Sequence, residues 1–283
     1  MIVSHTTSPG RTALVTGATG VIGKAIVEGL SHAGGIQVVP TGRNAEKLST
    51  LYPSPSDRIL PPRVLDQGSK ESILTLAAQW KYPLHILVIN ATATPKRREQ
   101  TIEGIETQWA VNVLGYHRLI RAFAPILFRS SQEMGEPSRI VVVASCWAGD
   151  LDLTDPEFKH RRYDNGVAYR QSKQAERMLS YAWGLRLQEQ YGAIPDGPFK
   201  GCSYITVNAC HPGEVNTPLS NSLGFGGHES PEEGADTPVW VATAKDLAAV
   251  TGGWFTYRNR SVCRFASDTT AVQKLFELVE SYG

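Results

Sequence analysis

Tyr169 and Lys173 are the two residues whose types and spacing could carry out proton transfer. The segment reads Tyr-Arg-Gln-Ser-Lys, so the phenol and the ammonium lie four positions apart, on one face of a helix. A tyrosine hydroxyl with its ordinary pKa of about 10 is a poor proton relay at neutral pH. A lysine cation beside it favours the phenolate and lowers that pKa toward the working range. Tyr181 and Tyr191, on or near the same predicted helix, have no lysine at this spacing.

A glycine-rich turn follows the first predicted strand, Thr12–Thr16, and opens the first predicted helix. Glycines at this spacing allow a tight turn, bring a pyrophosphate close to the backbone and let the helix pack on the strand. The start of the helix also offers unpaired N–H groups and a favourable dipole to the phosphates. The turn indicates a dinucleotide site, with an ordinary tight turn as the alternative. Its predicted cofactor-binding residues are Gly17, Thr19, Gly20, Val21, Ile22 and Gly23.

The second predicted strand ends in Thr-Gly-Arg-Asn, residues 41–44, with no acidic side chain at the position that usually binds free ribose hydroxyls. Arg43 offers a planar cation suited to a ribose 2′-phosphate, which predicts NADP(H) rather than NAD(H). The alternative is a solvated arginine at the end of a strand. Asp66 could accept a hydrogen bond from the adenine amino group, or it could cap the helix that begins near Ser69.

Alternating strands and helices must position these residues. The predicted strands are nearly continuous apolar runs, as in strands buried on both faces of a parallel sheet: Thr12–Thr16, Gln37–Thr41, Ile86–Asn90, Arg139–Ser145 and Ser203–Ala209. The predicted helices are Ile22–Leu30, Ser69–Gln79, Ile105–Phe123 and Ala168–Gln190, the last polar on one side. The alternation predicts an α/β fold: a single Rossmann-type domain over residues 1–283, with a doubly wound parallel sheet and helices on both faces.

Three segments are expected to depart from this regular order. Residues 1–10 are expected to form a flexible N-terminus. Asp150–Gly166 is a charged, irregular insertion before the helix of Tyr169. Leu219–Gly234 is rich in Gly, Ser and Glu, which predicts a mobile loop that could close over a substrate.

Composition limits the classes of function. The 283 residues are 41% hydrophobic and 19% charged, with 28 Lys+Arg against 27 Asp+Glu, which is globular and argues against a nucleic-acid-binding face. The apolar runs are too short to cross a bilayer, and Met1–Gly10 lacks the features of a signal peptide. We expect no membrane span and a cytoplasmic location.

No metal site is expected, because the four cysteines form no CxxC pair: Cys146, Cys202, Cys210 and Cys263. Cys146 and Cys210 are expected to be buried, reduced thiols.

Taken in order, these motifs resemble the short-chain dehydrogenase/reductase superfamily, and within it the retinol-dehydrogenase-like and WW-domain-oxidoreductase-like branch. The resemblance runs from Thr12 to about Phe255. It rests on the glycine turn, Arg43, Asp66, Asn90-Ala91, Thr101–Gly115, Ser145, Tyr169 with Lys173, and His211-Pro212-Gly213. The stretches TIEGIETQWAVNVLG, AYRQSK and GADTPVWVAT with TGGWF are similar to that branch in particular.

The resemblance implies a role for each matching position. Tyr169 would be the acid/base, Lys173 would lower its pKa and hold the nicotinamide ribose, and Ser145 would hydrogen-bond the substrate oxygen. Asn112 would position a water between Lys173 and solvent. Thr217 would bind the nicotinamide carboxamide, and the cofactor would also contact Asn90, Ala91, Pro212, Gly213 and Val215. The alternatives are a backbone-satisfied serine for Ser145, a helix-kink residue for Asn112 and a cap before Pro218 for Thr217.

Two positions depart from the family pattern. Val21 stands where the family has its middle glycine, so the turn also looks like that of the extended, epimerase-type branch. Thr92 places a side chain where the family has glycine.

The expected function is NADP(H)-dependent reduction of a lipophilic ketone or aldehyde, or oxidation of the alcohol, by hydride transfer. Ser145, Trp147 and Tyr169 are the predicted substrate contacts, with core packing as the alternative for Trp147. The resemblance implies a homodimer or homotetramer paired through the helices of Asn112 and Tyr169. The competing hypotheses are an NADP(H)-binding regulatory or scaffold protein without turnover, and an extended-type epimerase or dehydratase.

Overall fold

The computed structural model describes residues 10–283, and it has eight strands in one sheet. The expected flexible segment, residues 1–10, lies outside the described residues except for Gly10. The strands are β1 (Arg11–Val15), β2 (Ile36–Gly42), β3 (Arg63–Val64), β4 (Ile86–Ile89), β5 (Ser138–Val143), β6 (Ile205–His211), β7 (Trp254–Thr256) and β8 (Asn259–Ser261). Their order across the sheet is β3-β2-β1-β4-β5-β6-β7-β8. Neighbouring strands are parallel throughout, except that β8 pairs antiparallel with β7.

Helices cover both faces of this sheet, as predicted. They are α1 (Val21–His32), α2 (Ala45–Leu51), α3 (Lys70–Ala78), α4 (Gly115–Met134), α5 (Asn165–Tyr191), α6 (Pro218–Ser222), α7 (Pro231–Thr243) and α8 (Thr269–Glu280). A π-helical segment, Trp109–Leu114, leads into α4. None of the helices within residues 10–283 is long and apolar enough to cross a membrane.

The strands are buried on both faces, which explains why their sequences read as continuous apolar runs. In β1, Leu14 packs into the cluster beneath α3, α4, α5 and α8, whereas Ala13 and Val15 pack into the cluster beneath α1, α2 and α7. In β4, Leu87 and Val88 divide between the same two clusters. The doubly wound α/β fold is confirmed. Its strand order reverses between β1 and β4, and the crevice beyond their carboxyl ends is where such sheets bind ligands.

The loop predicted over Leu219–Gly234 is shorter than expected, because helices occupy residues 219–222 and 231–234 and leave residues 223–230 as the loop between them. Thr217 and Ser220 form a capping box at the start of α6, with proline at its first position. Ser230 and Glu233 form a second capping box at the start of α7, again followed by proline. A capping box with proline at the first helical position is a strong start signal, and it outweighs the local glycines.

The polar side expected for α5 is narrower than predicted, because α8 and the turn before it cover part of the helix; Arg170, Gln174 and Gln188 remain at least partly exposed. From residue 171 to residue 184 nearly every side chain of α5 is buried. The Phe276 ring of α8 packs at 5.2 Å from the Trp183 ring of α5 and at 5.4 Å from the His117 ring of α4. These contacts lie on the helices through which pairing was expected, so pairing there would have to accommodate α8. The homodimer or homotetramer stays a prediction.

Candidate active site

The first third of α5 places Tyr169 and Lys173 inside the protein. Asp164 caps the helix, since its carboxylate accepts a hydrogen bond from the Val167 N–H at 2.8 Å. Tyr169 is 6% exposed and Lys173 is 2% exposed. The Lys173 Nζ lies 5.6 Å from the centre of the Tyr169 ring. The predicted pair therefore meets in space, in surroundings where charge interactions are strong.

Opposing effects set the protonation of Tyr169. Burial raises the pKa of its hydroxyl, whereas the Lys173 cation and the Ser145 hydroxyl lower that pKa, and the Glu176 carboxylate raises it. Burial is the largest of these effects, so the pKa stays above its ordinary value. The phenol is the form that this environment favours.

Ser145 follows the end of β5 and is buried beside Tyr169. Its Oγ accepts a hydrogen bond from the Trp147 N–H at 3.1 Å. The backbone therefore satisfies one lone pair, which agrees with the alternative considered for this serine. Because the hydroxyl acts as an acceptor in that bond, its own proton remains available for donation to a neighbouring oxygen.

Lys173 is held by side chains that sequence reasoning did not connect with it. Its Nζ donates to Glu176 Oε1 at 2.8 Å and Oε2 at 3.0 Å, to Thr92 Oγ1 at 3.1 Å and to the Val143 carbonyl at 3.3 Å. Glu176 lies one turn after Lys173 and is 3% exposed. The signal that could have revealed it is an acidic residue at i+3 within an otherwise core-facing stretch.

The glycine turn is built as predicted, and Val21 does not disturb it. Gly17 has a φ of 65°, and a Cβ there would lie 2.8 Å from the Ala91 Cα, while a Cβ at Gly23 would overlap the Gly17 carbonyl. Gly20 is the N-cap of α1 and no side chain caps it, so the first N–H groups of the helix are left for a ligand. Val21 is simply the first helical residue. The close-approach cradle and the uncapped helix start fit a dinucleotide pyrophosphate.

Asn90 and Ala91 are fastened to this turn. Both of their N–H groups donate to Thr16 Oγ1 at 3.0 Å, and the Asn90 side chain donates to the Thr16 carbonyl at 3.0 Å. Asn112, in the π-helical segment, exchanges two hydrogen bonds with the Ala93 backbone and donates to Ser172 Oγ at 3.0 Å. The Asn112 side chain thus ties the loop after β4 to α5, and its water-positioning role stays a prediction.

One cavity of about 410 Å³ joins these parts at the carboxyl ends of the strands. The predicted site residues in its wall are Gly17, Thr19, Gly20, Val21, Ile22, Gly23, Arg43, Asp66, Asn90, Ala91, Tyr169, Lys173, Pro212 and Thr217. The predicted residues outside its wall are Asn112, Ser145, Trp147, Gly213 and Val215. Thr92, Leu219 and Lys47 also line it; Lys47 is a second cation beside Arg43 that sequence reasoning missed.

Gly213 and Val215 lie outside the cavity wall, and each is held by contacts with other parts of the chain. Gly213 has a φ of 92°, and the space where its side chain would stand is filled by the Glu229 carboxylate. Val215 is buried, and its carbonyl accepts a hydrogen bond from Ser220 Oγ at 3.0 Å. Thr217 is the N-cap of α6, which agrees with its alternative interpretation as a cap before Pro218, and it also lines the cavity.

Asp66 lines the cavity and does not cap α3. Its Oδ1 accepts a hydrogen bond from the Gly68 N–H at 2.9 Å, and the cap of α3 is Ser69, so the capping interpretation is wrong. The contact with adenine stays a prediction. Arg43 follows β2 directly and is exposed on the cavity wall.

Aromatic rings lie beside Tyr169. The half-buried Trp147 ring lies 5.6 Å from the Tyr169 ring and 4.9 Å from the Phe225 ring, which it meets edge to face. Trp147 is therefore not a core residue. Cys146, expected to be buried, is exposed because the chain turns outward immediately after Ser145, whereas Cys210 is buried as expected.

Comparison with known proteins identifies the family. The family model described as short chain dehydrogenase matches residues 11–225. Mouse polyprenol dehydrogenase is 35% identical over 86% of this chain and 75% of its own length. Mouse retinol dehydrogenase 13 is 30% identical over 96% of this chain and 84% of its own length.

A solved structure agrees at the level of the fold. A crystal structure of an uncharacterised protein from Mycobacterium paratuberculosis has a TM-score of 0.74 and 22% identity, covering 96% of this chain and 92% of that one. With the matched sequence model and relatives, the conclusion is that this chain belongs to the short-chain dehydrogenase family of nicotinamide-dependent oxidoreductases, on its retinol-dehydrogenase-like branch.

Proposed function

We propose that this protein is an NADP(H)-dependent reductase of lipophilic ketones or aldehydes, which can also oxidise the corresponding alcohols. The observation that carries the proposal is the cavity itself, whose wall contains both the glycine cradle with Arg43 and the pair Tyr169 and Lys173. A dinucleotide that spans these groups brings its reactive ring beside a buried phenol.

Arg43 and Lys47 support the choice of NADP(H). Arg43 lines the cavity directly after β2, where a carboxylate would be needed to hold two free ribose hydroxyls, and Lys47 lines it from the first turn of α2. A guanidinium and an ammonium together suit the charge and the oxygen atoms of a 2′-phosphate. Pro212 and Thr217, which also line the cavity, are the proposed contacts of the nicotinamide.

Tyr169, Ser145 and Lys173 are the proposed catalytic residues. A bound nicotinamide supplies hydride chemistry, giving a hydride to a carbonyl carbon or taking one from an alcohol. Tyr169 donates its hydroxyl proton to the carbonyl oxygen, which becomes the alcohol, and it accepts that proton in the reverse direction. The Ser145 hydroxyl donates a hydrogen bond to the same oxygen, and Lys173 lowers the pKa of Tyr169.

The aromatic border supports a lipophilic substrate. Trp147 and Phe225 present apolar rings beside Tyr169, and Leu219 extends the apolar wall. Phe225 belongs to the segment 219–234, which we propose as the substrate lid because its ring rests directly on Trp147. Apolar surface of this kind favours substrates with large hydrophobic groups.

The test is consumption of NADPH, with NADH in parallel, against aldehydes, ketones and quinones that differ in the size of their apolar part. We expect turnover with NADPH and higher kcat/KM for the larger apolar substrates. Tight NADPH binding with no turnover in either direction would favour the regulatory protein instead. Failure to bind either cofactor would contradict the role proposed for the glycine turn.

A further inference from the structure

Glu176 is a buried carboxylate whose partner is the lysine of the proposed catalytic set. Both of its side-chain oxygens lie within 3.0 Å of the Lys173 Nζ, one turn earlier on α5. Among the described residues no other side chain hydrogen-bonds this carboxylate. Each partner is less than 5% exposed, so water does little to screen the pair. Burial raises the pKa of Glu176 to about 7 against the opposing effect of the Lys173 cation, so the carboxylate carries its full charge only above neutral pH.

The groups packed around this pair from neighbouring elements do not provide a competing charge. Tyr116 of α4 donates to Ser180 Oγ at 3.2 Å, and Cys210 of β6 is buried; burial raises the pKa of both groups, so both are neutral. Asn112 carries no charge. Arg177, next to Glu176 on α5, stacks its guanidinium on the Trp254 ring at 4.0 Å and on Phe265.

The Lys173–Glu176 pair changes the electrostatic environment of the Tyr169 hydroxyl. A lone lysine cation beside a buried phenol stabilises the phenolate and prepares the site to take a proton from an alcohol. The Glu176 carboxylate, held against the same ammonium, cancels part of that field and raises the pKa of Tyr169. A site with this carboxylate retains its phenol over a wider range of pH, and a phenol is the group that can protonate a carbonyl oxygen.

We propose that Glu176 is a positioning residue that holds and partly neutralises the Lys173 ammonium, and that it thereby keeps Tyr169 in its proton-donating form up to higher pH. The inference rests on the proposed function for its meaning, because the protonation of Tyr169 affects a rate only where turnover occurs. A buried ion pair that merely stabilises α5 would leave the ionisation of Tyr169 unchanged.

The test uses Glu176→Gln, which keeps the shape and a hydrogen-bond acceptor but removes the charge. Its matched control is Glu189→Gln, at an exposed position on the same helix, about 20 Å farther along the axis. The ionisation of Tyr169 is measured by ultraviolet titration of tyrosinate absorbance, as the difference between each protein and the same protein carrying Tyr169→Phe. We expect the Tyr169 midpoint to fall by about one pH unit in Glu176→Gln and to stay in place in Glu189→Gln.

The second readout is the pH profile of kcat/KM in both directions. In Glu176→Gln we expect the decline of reduction and the rise of oxidation with increasing pH both to move to lower pH, by about one pH unit. A midpoint and a profile that both match the wild type would overturn the proposal. The titration needs no turnover. An inactive wild type would therefore count against the proposed function, and the shift of the Tyr169 midpoint would still test the role of Glu176.

Should Glu176→Gln fail to fold, Glu176→Asp gives the same test with the charge retained but withdrawn by one methylene. A weaker contact with Lys173 predicts a smaller fall of the Tyr169 midpoint in the same direction. An unchanged midpoint in this variant would contradict the inference.

Discussion

Lys173 and Thr92 are joined by a hydrogen bond of 3.1 Å between Nζ and Oγ1, across the cavity from α5 to the loop after β4. Thr92 stands where the family has glycine, so this contact comes from a side chain that the family pattern lacks. The ammonium has three N–H groups to donate. The threonine hydroxyl accepts a hydrogen bond from one of them, and Glu176 and the Val143 carbonyl accept hydrogen bonds from the others. The lysine is thus oriented before any ligand arrives.

Replacing Thr92 with valine removes this acceptor at nearly constant volume. We expect kcat/KM to fall by about tenfold, because a charged hydrogen bond inside the protein contributes about 1.5–3 kcal/mol and part of it is regained from a ligand. Steady-state kinetics on purified protein is the measurement. Thr92→Ser keeps the hydroxyl and should retain most activity; equal losses in the two variants would mean that the hydroxyl has no role.

Arg43→Ala should weaken NADPH binding by about 1–3 kcal/mol and leave NADH binding nearly unchanged, because only NADPH carries the 2′-phosphate. Lys47→Ala should show the same selectivity to a smaller degree, since Lys47 lines the cavity beside Arg43. Calorimetric titration of both cofactors measures this. An equal loss of affinity for NADPH and NADH would show that Arg43 does not bind the 2′-phosphate.

The glycine turn offers a matched pair of substitutions. A Cβ at Gly23 would overlap the Gly17 carbonyl, whereas a Cβ at Gly20 would lie 3.3 Å from the same atom. Gly23→Ala should therefore lower the free energy of unfolding by about 1–3 kcal/mol and abolish cofactor binding, and Gly20→Ala should do much less. Urea unfolding and NADPH titration measure the two effects. Similar behaviour of the two variants would contradict the tight packing at Gly23.

Stability should decline in mild acid because of His85. Its Nδ1 accepts a hydrogen bond from the Thr12 N–H at 2.9 Å, which requires the neutral ring, and burial lowers its pKa from 6.5 to about 4. A histidine with a lowered folded-state pKa contributes stability above the unfolded pKa, and that contribution is lost as the pH falls from about 6.5 to about 4. A shift of this size corresponds to about 3 kcal/mol without solvent screening, and screening of this partly solvated ring reduces the expected loss to about 2 kcal/mol.

Denaturant unfolding at a series of pH values gives the slope, and His85→Asn is the comparison. This variant cannot take up the proton, so its stability should change less over the same pH range, although it starts from a lower value. Identical pH slopes for the two proteins would show that another group is responsible.

Sequence reasoning found the elements whose patterns are local. The five predicted strands are present because burial on both faces makes each one a continuous apolar run, and Tyr169 and Lys173 are found together because four residues span one helical turn. The two- and three-residue strands β3, β7 and β8 were missed because so few residues cannot form a recognisable apolar run or alternating pattern. The helices α6 and α7 were missed because their glycines and serines predicted a loop, despite two capping boxes.

The remaining features depend on contacts that are distant in sequence. Thr92 and Lys173 are 81 positions apart, and only the fold brings them together. Glu176 reads as an ordinary helical glutamate, and its burial follows from the packing of α4, β6 and α8 around α5. The covered face of α5 likewise depends on a C-terminal helix whose docking site is formed by residues about 100 to 160 positions earlier.

The most direct test of the account is a single-turnover experiment with NADPH already bound to the wild type and to Tyr169→Phe, mixed with a carbonyl compound that the wild type reduces. The nicotinamide absorbance should decay in the wild type and stay constant in Tyr169→Phe, while both proteins bind NADPH with nearly equal affinity. Decay at the wild-type rate in Tyr169→Phe would contradict the assignment of Tyr169 as the proton donor, and with it the proposed mechanism.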